Sequence, residues 1–330
     1  MSPKLRVRLA EHLPEEQGEA LRKAVRWQIF TVCYTAVTIV LVAFVLGSSQ
    51  AMKTAWIEDM LSLLPQLSFF VALFFIHRRP TKSRPFGQHR SMSIGHLVAG
   101  VALIAVGSSL AVESALGLIA AEHPTISTVN LFGHTVWLGW LMVIVMVVIV
   151  IGPVFFYGPA KAKLAPVLHN KLLHADADMA QADWQTNVAS IVGVLGVGIG
   201  WWWLDGAAAI FISLGIIWDG LRNTKAALLD LMDQRARTVD DQDAHPLADD
   251  ILRVLRSQPW VQEAGIRLRD EGQVFHLEAF LVPDEEGLTV ERAEHLREEL
   301  HRLDWKMQDI VITVTAELPD YLDQAPRSAS

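Results

Sequence analysis

The residues of this chain best suited to chemistry are oxygen donors set inside lipid-like sequence. In "TAWIEDMLSLLPQLSFF", Glu58 and Ser62 stand four apart on one helical face, and Asp59, Ser62 and Gln66 form an overlapping stripe. "HADADMAQADWQTNVASIVGVLG" has a similar pattern, with Asp176, Met179, Asp183, Asn187 and Ser190 at steps of three or four. Ionisable groups inside an apolar segment are costly, which makes each one a functional hypothesis by default. Two helices facing each other with such stripes enclose a site for a divalent cation, held by carboxylate, amide and hydroxyl oxygens.

Not every acid in these stripes demands that role. Glu58 and Asp59 lie about eight or nine residues into their segment, roughly 13 Å from its outer end. Asp183 is equally interior. Asp176 and Asp178 also suit a structural place at the start of a helix, where carboxylates favour the dipole. Lys53 fits a snorkelling anchor or a partner for a carboxylate. Glu113 fits either support for a ligand or an interfacial residue, and Pro65 is expected to bend its helix.

The elements that must position these groups are membrane helices. The chain has 330 residues, 52% of them hydrophobic, and 11 Trp, a composition richer in apolar residues than an ordinary soluble domain. A formal charge of -8 argues against nucleic acid, whose phosphates require a basic footprint. The single cysteine, Cys33, allows neither a disulfide framework nor a thiolate zinc site. The first 25 residues are charged and lack the apolar core of a secretory signal.

About 20 mostly apolar residues cross a bilayer core of about 30 Å. Six segments approach or exceed that length, near Trp27–Gly47, Ala51–Ile76, Ile94–Ala120, Leu131–Tyr157, Ala177–Gly200 and Gly206–Leu229. Lys and Arg fall in alternate joints: Arg78, Arg79, Lys82, Arg84 and Arg90 in one, Lys161, Lys163 and Lys171 in another. The opposite loops, "GSSQ", "EHPTISTVN" and "WWWLD", have none, so the positive-inside rule puts both termini in the cytoplasm. Trp201, Trp202 and Trp203 fit an outer aromatic belt or packing between helices.

The expected organisation is a cytoplasmic segment over 1–25, a six-helix transport domain over 26–230, a charged linker over 231–245, a small cytoplasmic domain over 246–319 and a tail over 320–330. In the small domain, Leu247–Leu255 and Val290–Leu303 have helical spacing. "VQEAGIRLRD" and "QVFHLEAFLVP" alternate as strands around Glu271-Gly272, and "DIVITVTAEL" reads as a last strand. Helix, two strands, helix and strand make a compact α+β, ferredoxin-like layer, small enough that dimerisation would help stabilise it.

From about residue 25 to 319 the chain resembles the cation diffusion facilitators, or cation efflux proteins. The likeness rests on "SSQAMKTAWIEDMLSLL", on the phenylalanine-glycine turn of "RPFGQHR", on "ADADMAQADWQTNVASIVGVLG", on "DGAAAIFISLGIIWDGLRNTKAALLDLMD", and on a C-terminal domain containing "AEHLREEL". It implies an integral membrane homodimer, in the inner or plasma membrane, that exchanges a divalent cation for protons by alternating access. It implies a metal site of two ligands four residues apart on each of the second and fifth spans. The corresponding positions are Glu58 and Ser62, then Met179 and Asp183, and only Asp183 keeps the family's usual identity.

Asp59 and Asp178 are each displaced by one residue, about 100° away on an ideal helix. Loss of the typical histidine at Met179 leaves mainly hard oxygens from Glu58, Asp59, Ser62, Asp183 and Asn187. These favour manganese or ferrous iron ahead of zinc or cobalt, whereas a ligating Met179 would favour softer ions. Proton coupling then rests on the carboxylates, since a carboxylate in hydrocarbon that holds no cation takes a proton instead. The metal is cargo, and no cofactor is expected.

Of the soluble histidines His245, His276, His295 and His301, the resemblance points to His245 and His295 as possible regulatory metal ligands. The usual histidine after the final strand is replaced in "VITVTAEL". A different class stays open, a membrane-bound sensor or scaffold of the same fold that binds metal without transporting it. An enzyme is not expected: the sequence has no HExxH, GxSxG or Cys-His constellation. A channel would give weakly saturating flux that ignores pH gradients.

Overall fold

The computed structural model describes residues 14–76, 78, 81–131, 133–272, 274–285 and 287–324. The first 13 residues, Arg79 of the basic loop and the last six residues of the expected tail lie outside the described residues.

Helix α1, Glu15–Val45, begins with two glutamates in its first turn, where the dipole favours them. It starts well ahead of the expected Trp27, because the apolar period continues through charged sequence. Ala20, Leu21, Ala24 and Val25 are buried, whereas Glu19, Arg22, Lys23 and Arg26 face outward. That buried face packs on Phe69, Ala72 and Leu73 near the end of α2, Gln50–Ile76. α2 continues through Pro65.

The first turn of α2 is capped from outside its own helix. Asp205, fully buried, accepts from Ser49 Oγ at 2.6 Å and from the backbone nitrogens of Gln50 at 2.6 Å and Ala51 at 3.3 Å. Asp205 belongs to α7, Trp203–Leu231, so one carboxylate satisfies donors that the start of α2 cannot satisfy itself.

α3, Ser91–Ile119, packs against α7 through glycines. A Cβ added at Gly100 would stand 2.6 Å from Thr224 Oγ1 and 2.8 Å from Thr224 N, and one at Gly220 would stand 2.8 Å from Ile104 N. Small residues let the two backbones approach, as membrane helices require when no hydrophobic effect drives their association.

The expected fourth span, Leu131–Tyr157, is corrected at both ends. Residues Thr128–Leu131 (β1) and His134–Trp137 (β2) form an antiparallel hairpin, with Gly133 at φ +85° in its turn; Thr128, Val129, Thr135 and Val136 are β-branched residues that suit strands. The span itself runs through α4, Leu138–Ile149, a π-helical turn at Gly152–Tyr157 and α5, Gly158–Leu168. After His169, in the left-handed region at φ 42°, Asn170 caps α6, Lys171–Gly198, by accepting from Leu173 N at 2.9 Å. The fifth span therefore starts before the expected Ala177.

Five helical stretches are long and apolar enough to cross a bilayer: α1, α2, α3, the α4–α5 stretch and α7. α6 matches them in length at 28 residues, but its first half is polar.

The C-terminal domain contains α8 (Leu247–Ser257), β3 (Val261–Asp270), β4 (Phe275–Pro283), α9 (Val290–Leu303), β5 (Met307–Val314) and β6 (Asp323–Gln324). The sheet order is β5-β4-β3-β6. β3 pairs antiparallel with β4 and β6, and β4 pairs parallel with β5. Ile266, Leu268, Leu277, Ala279 and Leu281 of the sheet share one core with Ile251, Leu255, Leu296 and Leu300 of the helices, which gives the expected α+β layer. The last strand ends at Val314 rather than Leu318, and β6 is an addition.

The linker is held against this sheet: Ala236 N donates to Leu268 O at 2.7 Å and His245 N to Ala236 O at 2.9 Å. Where the two parts of the chain meet, Asp270 accepts from Lys306 Nζ at 3.1 Å and lies 3.0 Å from His169 Nε2. The Lys306 ammonium and the His169 ring hold the Asp270 carboxyl well below the usual carboxylate range, against the effect of its burial.

Candidate metal site between two membrane helices

α2 and α6 lie side by side, and acids from the polar stripes of both come near one another there. Glu58 is eight residues beyond the start of α2, about 12 Å along it. The carboxyl of Asp183 lies in the electrostatic neighbourhood of Glu58 and Asp59. Asp219 of α7 adds a fourth acid close to Glu58. Tyr34 of α1 and Tyr157 of the π turn both face Asp59 and Asp183. Their rings lie 5.7 Å apart, and Tyr34 Oη donates to Ile149 O at 2.9 Å.

Glu58, Asp59 and Asp183 sit deep in the bundle yet keep part of their surface accessible. Glu58 meets the Thr186 hydroxyl, while its Oε2 is buried without a hydrogen-bond partner. Asn187 spends its Nδ2 on Asp183 O at 2.7 Å, and its Oδ1 is buried and unpartnered, as is Ser190 Oγ one turn on. Buried oxygens without donors are unusual in a folded chain. Here α2 and α6 supply unpartnered oxygens and α7 a further carboxyl, and an oxygen-rich set of groups is what a hard cation requires.

The remaining positions are arranged differently. Ser62 Oγ donates to Asp59 O at 2.8 Å, its own preceding turn. Met179 packs with Leu61, Leu103, Ile212 and Ile216 in an apolar cluster. Asp178 turns to Arg222 of α7 at 2.5 Å and to His174 at 3.7 Å, on the side of Asp219. Glu113 pairs with Lys53 at an exposed position, so it supports neither carboxylate. Among the described residues no three of His, Cys, Asp or Glu converge closely enough to enclose an ion.

In the C-terminal part of the chain, His245 of the linker and His295 of α9 are not brought together. The His245 ring meets the His169 ring edge-on with centroids 4.8 Å apart and lies tilted 4.9 Å from Phe275, and its Nδ1 accepts from Leu247 N at 3.2 Å. Burial pushes it down to about 4. His295 is exposed and lies 3.4 Å from Glu299.

Sequence reading missed a buried ion pair next to the site. Lys161, read as a loop cation, is fully buried in α5, and its Nζ lies 2.6 Å from Asp176 Oδ2. Gln28 of α1 donates to the same oxygen at 2.7 Å. Lys171, counted with it, is paired with Asp230 at 2.7 Å and Asp241 at 2.8 Å. The available signal was period: in "GPAKAKLAPVL", Lys161 shares a helical face with the buried Ala165 and Leu168, whereas Lys163 points outward.

The family profile for the cation efflux transmembrane domain matches residues 27–232, more than half of the chain. The chain is also similar to YdbO of Bacillus subtilis strain 168, described as an uncharacterized transporter. The two are 22% identical over 292 residues, covering 86% of this chain and 92% of that protein.

Proposed function

This chain belongs to the cation efflux family, and from that premise we propose that it exports a divalent metal cation from the cytoplasm in exchange for protons, as a homodimer. The observation that carries the reading is the set of acids Glu58, Asp59 and Asp183, within electrostatic reach of one another and deep between α2 and α6. An ion entering between α2 and α6 is neutralised by these carboxylates, which lowers its dehydration cost. Asn187 Oδ1 and Ser190 Oγ supply further oxygens. When the ion leaves, protons replace it on the same groups, and the exchange couples the two fluxes.

The donor set orders the cargo. With Met179 in apolar packing and no imidazole beside Asp183 among the described residues, the donors are hard oxygens, so manganese and ferrous iron come ahead of zinc and cobalt. Both termini lie in the cytoplasm. With Lys161 buried and Lys171 paired, that orientation rests mainly on the loop carrying Arg78, Lys82, Arg84 and Arg90.

The test is a metal panel in proteoliposomes, with and without an imposed proton gradient. Manganese or ferrous flux driven by an outward-to-inward proton gradient is expected, with Asp183→Asn and Glu58→Gln abolishing it in folded protein. Unchanged flux in both variants overturns the site. A second reading, metal binding without transport, is favoured by Ser62 bonding to its own helix and by the absence of a closed three-acid cluster among the described residues. Saturable binding by calorimetry with no flux for any metal would establish it.

A further inference from the structure

Where the end of α2 meets the start of α3, beside the soluble domain, lies a cavity of about 790 Å³ that the transport site does not use. Its walls are hydrocarbon. Leu67 and Val71 of α2 and Ile94 and Val98 of α3 stand one turn apart on their helices, and each is about half exposed. The helices close the floor by direct approach: a Cβ added at Gly95 would meet Ser68 Cβ at 3.0 Å.

One end of this groove is basic. Arg84, Arg90 and Arg269 line it together with Glu271. Arg90 and Arg269 share two acids. Arg269 lies 3.3 Å from Asp233 and 3.1 Å from Glu271, and Arg90 pairs directly with Asp233 and lies 3.9 Å from Glu271. The third cation is in surplus, because Arg84 donates to the neutral amide of Gln88 at 2.6 Å. In addition, Arg269 Nε is buried without an acceptor. Three guanidinium groups against two carboxylates leave a net positive charge and an unused donor at the mouth of an apolar groove.

We propose that this groove binds an anionic phospholipid, its acyl chain along α2 and α3 and its phosphate at Arg84 and Arg269. Guanidinium groups bind phosphate through paired, charge-assisted hydrogen bonds, and basic pockets between membrane helices on the cytoplasmic side suit anionic headgroups. A free anion would leave the hydrocarbon walls uncovered. A second copy docked here about a twofold axis would set the same surplus cation against itself. Because Arg84 belongs to the membrane part and Arg269 to the soluble sheet, one bound phosphate ties the two together.

The experiment uses the full chain in detergent, titrated with phosphatidylglycerol or with phosphatidylcholine of identical acyl chains, and read by native mass spectrometry and melting temperature. Phosphatidylglycerol should be retained and should raise the melting temperature more than phosphatidylcholine, with an advantage that shrinks as salt rises. Arg84→Gln should weaken its retention about fivefold, the share of one arginine. Val71→Trp, and independently Ile94→Trp, should fill the groove and remove retention. Equal retention of the two lipids, or Arg84→Gln behaving as the unaltered protein, overturns the proposal. So does equal protection by inorganic phosphate, which would identify a site for a free anion. A change of oligomeric mass in both Trp variants with lipid retention intact would assign the face to a second copy and also overturn it.

Discussion

Replacing Lys161 with Met tests how the helices around the site are held. Lys161 and Asp176 are 0% and 5% exposed, 2.6 Å apart, and Gln28 adds a 2.7 Å bond to the same carboxylate oxygen. Lys161→Met keeps the length of the side chain but leaves Asp176 buried with one neutral donor. Breaking a buried pair by removing one partner costs about 3–5 kcal/mol, because the other charge is left uncompensated. At about 2–4 °C per kcal/mol for a chain of this order of size, the melting temperature falls by about 6–20 °C.

The double variant Lys161→Met with Asp176→Leu should recover most of that loss, since an apolar pair of similar volume is about neutral. Lys163→Met, exposed on the same helix, should change little. The assay is thermal unfolding in detergent, followed by tryptophan fluorescence and analysed as a double-mutant cycle. If Lys161→Met melts no lower than Lys163→Met, or if the two substitutions of the pair add without coupling, the ion pair does not hold α5 to α6.

Three further outcomes are expected. Gly100→Ala should destabilise by about 1–3 kcal/mol, because its Cβ would stand 2.8 Å from Thr224 N, a backbone atom with little freedom to yield; denaturation in detergent measures it. Asp205→Ala should remove the acceptor shared by Ser49, Gln50 and Ala51 and cost about 1–3 kcal/mol, seen as faster amide exchange confined to the start of α2. The junction should weaken in acid. His245, held down at about 4 against an ordinary 6.5, binds fewer protons folded than unfolded, so its contribution is complete above about 6.5 and is lost as pH falls towards 4. His169 is lowered in the same direction, and Asp270 carries the loss on below the usual carboxylate range. His245→Asn should flatten melting temperature against pH between 7 and 5, and an unchanged slope would remove His245 from the account.

Long apolar runs leave a chain few options. Backbone groups in hydrocarbon must bond within their own helix, so the five apolar stretches among the described residues were legible from composition and length. The small domain was equally legible. Val261–Asp270 and Val290–Leu303 fall where alternation and helical period put them, because each element has one buried and one wet face. The acids Glu58, Asp59 and Asp183 could be picked out for a related reason, the cost of charge in lipid.

Sequence could not show which way neighbouring residues turn. Asp176, Asp178 and Asp183 lie on one helix within eight positions, yet they face Lys161, Arg222 and Glu58 respectively. Those partners come from other helices. Lys161 looked like a loop cation because its charge was visible and its burial was not. The second strand of the hairpin, His134–Trp137, falls inside the expected fourth span because it carries no Lys, Arg, Asp or Glu and runs straight into the apolar sequence of α4. Local chemistry set the number and class of elements. Rotation and pairing were decided only by tertiary packing, since each depends on the free energy of contacts between segments far apart in the chain.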